Sequence, residues 1–158
     1  MKRQFFYGLL LLLNFSLISS TCSSDNDEGP NNSASEIQQI KNDVESGTWR
    51  ITSYIDSGQD ETSDFNGYNF TFAPNGVLTA DNGTSTESGT WSITDSSSSS
   101  SSSDDDIDFN IFFNVPASSD FEDLNDDWDI STHTSSRIAL IDISGGNGGT
   151  DTLIFEKN

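Results

Sequence analysis

From Thr48 onward, apolar residues come in short runs within which they recur at every second position. A period of two sends alternate side chains to opposite faces of an extended strand, so the pattern selects β structure with one buried face. Trp49, Ile51 and Ile55 alternate with Arg50, Thr52, Tyr54 and Asp56. Tyr68, Phe70 and Phe72 alternate with Asn69 and Thr71, and Ile107, Phe109, Ile111, Phe113 and Val115 form the clearest run. Trp91 shares a face with Ile93, and Trp128 with Ile130. With turn signals at Ala73–Gly76 and Gly145–Gly149, the spacing predicts strands over 48–56, 67–73, 76–80, 88–94, 106–115, 127–133, 136–143 and 151–156. Eight short strands with turns between them predict an all-β sandwich or barrel. An eight-stranded antiparallel barrel has an interior that holds side chains or one small ligand.

An internal echo supports the repeating architecture. Ser46-Gly47-Thr48-Trp49-Arg50-Ile51-Thr52 and Ser88-Gly89-Thr90-Trp91-Ser92-Ile93-Thr94 differ only at Arg50 and Ser92. Trp128-Asp129-Ile130-Ser131 is a looser third copy. In each, Trp and Ile stand two apart and point to the same side of a strand.

Ahead of the strands, Ile37, Ile40 and Val44 recur at helical spacing, which predicts a helix over 36–46 capped by Ser35 and ended by Gly47. Its apolar stripe would cover the open end of a barrel. Ser96–Ser103, extended by Asp104, Asp105 and Asp106, can bury nothing and predicts a disordered loop over 95–105. In 116–126, Phe121 and Leu124 stand three apart, which suits a helical turn laid across one rim.

The first residues are an address. Lys2 and Arg3 precede the apolar run Phe5–Ile18, and small residues follow up to Cys22. That order is a secretory signal over 1–21, too short and too interrupted for a membrane span of about 20 residues. Cys22 is the sole cysteine and sits where the signal ends, which resembles a bacterial lipobox, with Ser19 and Thr21 where that motif prefers Leu and Gly or Ala. The acidic Ser23-Ser24-Asp25-Asn26-Asp27-Glu28 resembles the surface-export tag of Bacteroidota-type lipoproteins. These resemblances imply a lipid-anchored protein of the outer membrane, exposed on the cell surface. The acyl chains on Cys22 would enter the lipid bilayer, and 22–34 would be a polar disordered tether to a domain over 35–158.

Charge narrows the partners. Lys and Arg number 6 against 26 Asp and Glu, a net charge of −20. Such a surface repels phosphate backbones, which argues against nucleic acid, and anionic headgroups, which leaves membrane anchoring to the acyl chains. One Cys cannot form an internal disulfide, and one Cys with one His cannot build a zinc site.

Gly47-Thr48-Trp49 matches the Gly-x-Trp that opens the first strand of lipocalin-like barrels. Asn66–Phe72 followed by Asn75-Gly76, Leu124–Trp128 and the closing Leu153–Asn158 resemble later parts of the same family in the same order. Over about residues 47–158 the chain resembles the lipocalin-like lipoproteins of Bacteroidota. The resemblance implies an eight-stranded up-and-down barrel, a short N-terminal helix and a ligand cavity, without naming a ligand.

The chemistry-bearing residues are sparse. His133 has no neighbouring Cys or second His, and its plain reading is a surface strand histidine. Carboxylates are too numerous to single out a catalytic pair. Asp104, Asp106, Asp108 and Asn110 alternate like calcium ligands but lack the Gly and terminal Glu of an EF-hand, and Asp126, Asp127 and Asp129 form a second cluster. Solvated acidic loops are the simpler reading of both. The expectation is therefore no enzymatic activity, no cofactor and no metal. Trp49, Phe70, Phe72, Trp91, Phe109, Phe113 and Trp128 are the inward aromatics. The resemblance puts first a cup that they line for a small hydrophobic or amphipathic ligand, gated by Phe121 and Leu124; the alternative is that they fill the barrel. In the second case the protein is an accessory domain that docks on another surface protein.

Overall fold

The computed structural model describes residues 31–95, 107–143 and 149–158. The signal segment, Cys22, most of the tether, the serine run with Asp104–Asp106, and most of the Gly-rich turn lie outside the described residues. Helix α1 spans Asn31–Val44, and the strands are β1 Trp49–Asp56, β2 Gln59–Asp60, β3 Asn69–Phe72, β4 Val77–Asp81, β5 Thr86–Asp95, β6 Ile107–Phe113, β7 Asp126–Thr134, β8 Arg137–Asp142 and β9 Asp151–Lys157. A short 3-10 turn covers Thr62–Phe65. Among these residues no helix is long and apolar enough to cross a membrane.

Every neighbouring strand pair is antiparallel, and β1 pairs with both β3 and β9, so β1 and β3–β9 close into an eight-stranded barrel. The two-residue β2 folds back on the end of β1 and adds no stave to the wall. The expected architecture is the observed one, an all-β antiparallel barrel with one short helix.

Local departures from strict alternation have a visible cause. The register of β1 against β9 shifts between Ile51 and Ser53, leaving Thr52 as the extra residue of a bulge. A bulge reverses the inside–outside phase that follows it. Trp49 and Ile51 therefore point inward, but the next inward residue is Tyr54, and Ile55 is only half-buried. Tyr54 was expected on the outside and Ile55 on the inside. A second bulge falls between Ile130 and Thr132 of β7.

Both ends of the barrel are covered. At one end α1 packs against β5 and β7 and buries Ile40 and Val44. The helix begins five residues before the expected start, so Ser35 lies inside it rather than capping it; Ser33 is already buried. Packing there overrides the weak helix propensity of Asn and Ser. At the other end Phe65 from the 3-10 turn and Phe121 and Leu124 from the 116–125 segment fold inward. That segment is a chain of tight turns, with the amide of Ser119 bonded to the Pro116 carbonyl, Glu122 to Ser119 and Asn125 to Glu122.

Candidate functional site

The seven aromatics expected to line a cup all lie inside the barrel and are all buried. Phe72, Trp91 and Phe109 meet one another, Phe70, Phe113 and Trp128 meet other rings of the interior, and the Trp49 ring meets Lys157. The ring of Phe72 lies 5.4 Å from Trp91, 5.5 Å from Phe109 and 5.5 Å from Phe155, each edge to face. Phe70 meets Phe155 at 5.3 Å, and Phe113 meets Phe121 at 5.0 Å. Trp128 meets Tyr54 at 6.4 Å. Edge-to-face pairs at these separations are the favoured packing of aromatic quadrupoles. Four members of this cluster were not among the predicted inward aromatics: Tyr54 behind its bulge, Phe65 in the 3-10 turn, Phe121 assigned to a gate, and Phe155 in the last strand. For Phe155 the signal was present, because Leu153 and Phe155 alternate with Thr152 and Ile154.

The polar tips of the three tryptophans are also committed internally. Trp49 Nε1 donates to the Val44 carbonyl at 2.8 Å, Trp91 Nε1 to Ala73 at 3.0 Å, and Trp128 Nε1 to Leu124 at 3.1 Å. Each indole ties the barrel wall to a segment that turns at one end. Among the described residues no buried side-chain nitrogen or oxygen lacks a partner. A ligand pocket normally offers a few convergent polar groups to orient its guest, and among the described residues the three indole N–H groups are instead taken by backbone carbonyls.

Among the described residues open clefts lie on a rim and on the outer wall. One rim gathers Asp56, Glu122, Asp123, Asp126 and Asp151 around Tyr54. Asp151 is buried and accepts the Ser57 amide at 2.7 Å, holding a turn in which Ser57 adopts a left-handed φ of +48°. Burial, with crowding of like charge second, raises the carboxyls of this rim. Burial, then repulsion from Asp56, Asp123, Asp64 and Asp120, raises the Glu61 carboxyl above its ordinary range. Burial, then Glu122, Asp56 and other neighbours, raises Asp123. Asp126 is pushed up to about 6, first by burial and then by the Asp127 side chain, with Asp142 adding repulsion. Burial and the surrounding carboxylates likewise push the Tyr54 phenol up, and its hydroxyl donates to the Asp123 carbonyl at 2.8 Å.

Among the described residues no three His, Cys, Asp or Glu side chains converge as a metal site. The expected acidic cluster of β7 is divided, because Asp126 shares its strand face with inward Trp128 while Asp127 and Asp129 alternate to the other side. Asp108 stands on β6 opposite Asp129, and Asn110 donates to Thr94 at 2.9 Å. His133 borders a groove between α1 and β7 with Ile40, Ile107, Asp129 and Ile130, and its Nε2 lies 3.5 Å from Glu36 Oε1. The ring therefore links the helix to the wall.

Comparison with solved structures finds a DUF4847 family protein from Bacteroides vulgatus ATCC 8482, 19% identical, with 75% of this chain and 97% of that chain covered and a TM-score of 0.46. No family model matches the chain, and no curated relative matches it.

Proposed function

We propose that this protein is a non-enzymatic accessory domain, held on the outer face of the outer membrane by acyl chains on Cys22, whose barrel is solid and which works through its outside surface. The observation that carries this reading is the interior itself: six of the seven aromatics expected to form a cup have another interior ring against them, and all three indole N–H groups bond to backbone carbonyls of the chain. Opening a cavity there would separate those rings and orphan those carbonyls. The barrel then serves as a rigid scaffold, and a partner such as another surface protein would meet its rims or its wall.

Tryptophan fluorescence of the folded protein, titrated with fatty acids, retinoids, haem and bile-type amphiphiles, tests it. The expected result is no saturable change, with Trp49→Ala and Phe109→Ala lowering the melting temperature alone. Saturable one-to-one quenching that Phe109→Ala weakens in folded protein would replace this reading with the cup for a small apolar ligand. The tether is tested separately. Cys22→Ser should abolish palmitate labelling and release the protein from membranes; retained labelling would remove the anchor from the proposal.

A further inference from the structure

On the outer face of the barrel Val77 of β4 stands opposite Thr90 of β5, and Thr90 opposite Phe112 of β6. In the next row Ser92 stands opposite Asn110. Phe112 is 54% exposed and Val77 38%, although the strands carrying them bury every apolar side chain on their other face. Around Phe112 lies a shallow open groove of about 320 Å³, lined by Gly76, Thr90, Trp91, Ser92, Asn110 and Phe112. The Asn110 amide nitrogen donates to Thr94 Oγ1 at 2.9 Å.

Among the described residues no charged side chain lines this groove, in a chain whose net charge is −20. The nearest acids in the ladder are Asp127, opposite Asn110 on β7, and Asp108 and Asp81 farther along their strands. That composition selects among occupants. An anion is repelled by the whole molecule, and a cation is drawn instead to the acidic rim. A protein partner needs about 800 Å² of complementary surface, which this groove alone does not supply. A neutral ring that has one C–H face and hydroxyls at its edge matches every feature. Its apolar face stacks on the Phe112 ring, and its hydroxyls exchange hydrogen bonds with Thr90, Ser92 and Asn110, which both donate and accept. We propose that this groove binds a neutral sugar ring of a glycan chain, with Phe112 as the stacking platform. The site lies outside the barrel and stands whether or not the interior takes a ligand.

Affinity electrophoresis of the full chain in mild detergent tests this, through native gels containing amylopectin, mixed-linkage β-glucan, xyloglucan or galactomannan, with polygalacturonate as the charged control. At least one neutral polysaccharide should retard the protein, and polygalacturonate should not. Phe112→Ala should weaken the retardation by about tenfold, a magnitude typical of losing one aromatic contact together with its buried area. Phe112→Trp should keep it, and Asn110→Ala should reduce it. Phe112 is exposed, so its variants should melt at the wild-type temperature. Retardation by none of the four, or equal retardation of Phe112→Ala, overturns the proposal. Sedimentation velocity supplies a further arm, because a dimer that Phe112→Ala dissociates would assign the patch to a second copy of this chain and overturn the sugar site. Apolar-ligand quenching, which tests the solid interior, reads none of these outcomes.

Discussion

The indole of Trp49, the first residue of β1, donates to the carbonyl of Val44, the last residue of α1, at 2.8 Å, and both residues are fully buried. That carbonyl is one of the four that an α-helix leaves without an internal partner at its C-terminus. Lys157 of β9 completes the closure. Its Nζ donates to the Asp43 carbonyl at 3.1 Å and lies 4.7 Å from the centre of a Trp49 ring, while its aliphatic stem packs over Gly47, which holds a φ of +87°. A cation at the negative end of the helix and over an aromatic face is favoured twice. The helix is thereby clamped to the two strands that close the barrel, which makes α1 a fixed plug.

Trp49→Phe keeps most of the apolar volume and removes the donor. The Val44 carbonyl is then buried without its partner, which should cost about 1–3 kcal/mol. Chemical denaturation should show a lower midpoint with an unchanged slope. Lys157→Met, which keeps the stem and removes the charge, should cost less, about 1 kcal/mol. Equal stability of Trp49→Phe and the parent would show that the indole bond is dispensable.

Much of this arrangement was legible in the residues. The repeated Ser-Gly-Thr-Trp-x-Ile-Thr placed Trp49, Ile51, Trp91 and Ile93 on inward faces, where the structure has them. Ile37, Ile40 and Val44 identified the helix and its covering role. What alternation could not show is where it stops. The Thr52 bulge depends on how β1 registers with β9, roughly a hundred residues later in the chain, and nothing local to Tyr54 or Ile55 reports that pairing. Likewise a period-two pattern names the inward aromatics without saying whether they touch. The packing depends on Phe65 and Phe121, which come from irregular segments with no period to read.

Asn125 was equally hidden. It lies just before β7, and its side-chain amide pairs with the backbone of Phe113, accepting the amide N–H at 2.6 Å and donating to the carbonyl at 3.0 Å. One side chain thus imitates a strand partner where β6 runs past the start of β7. Asn125→Ala should cost about 2–3 kcal/mol, the loss of two bonds beside a buried residue. Native-state hydrogen exchange should show the Phe113 amide losing protection more than its ladder neighbours. Asn125→Asp should be no better, because it keeps the acceptor but sets a carboxylate against the Phe113 carbonyl. Unchanged protection at Phe113 in Asn125→Ala would remove this role.

Gly89 of β5 stands opposite Phe113 of β6 with no room for a side chain. A Cβ built there would lie 2.4 Å from the Phe112 carbonyl oxygen and 2.9 Å from a Phe113 ring carbon. The first obstacle is backbone, so relief needs a strand shift rather than a rotamer change. Gly89→Ala should destabilise by about 1–3 kcal/mol or more. Ser88→Ala, on the exposed face one residue earlier, should stay within about 0.5 kcal/mol of the parent. Because the shift would move Phe112, Gly89→Ala should also disturb the outer groove. A Gly89→Ala protein as stable as Ser88→Ala would mean that the two strands separate without penalty.

The acidic rim gives the protein an unusual pH response. Asp126 titrates at about 6 in the fold, against an ordinary carboxyl value of 3.8, chiefly because of burial and then the neighbouring Asp127, with repulsion from Asp142. Glu61 and Asp123 are raised in the same direction. Between those limits the folded state binds more protons than the unfolded one, so stability must rise as pH falls. Asp60 and Asp81 act oppositely, held below their ordinary range by hydrogen bonds from Thr62 and Thr86, but their contribution is lost only at more acidic pH, below about 3.8. The melting temperature should therefore increase by on the order of a few degrees from pH 7.5 to pH 4.5, a modest rise because the rim is partly solvated. Asp126→Asn retains the oxygen that accepts the Asp127 amide at 2.8 Å while removing the charge. That variant should melt higher than the parent at pH 7.5 and show a flatter profile, with the two curves converging near pH 4.5. A flat profile between pH 7.5 and 4.5 would mean that the rim carboxylates are solvated and independent, and a steady loss would mean that carboxyls held low in the fold outweigh them.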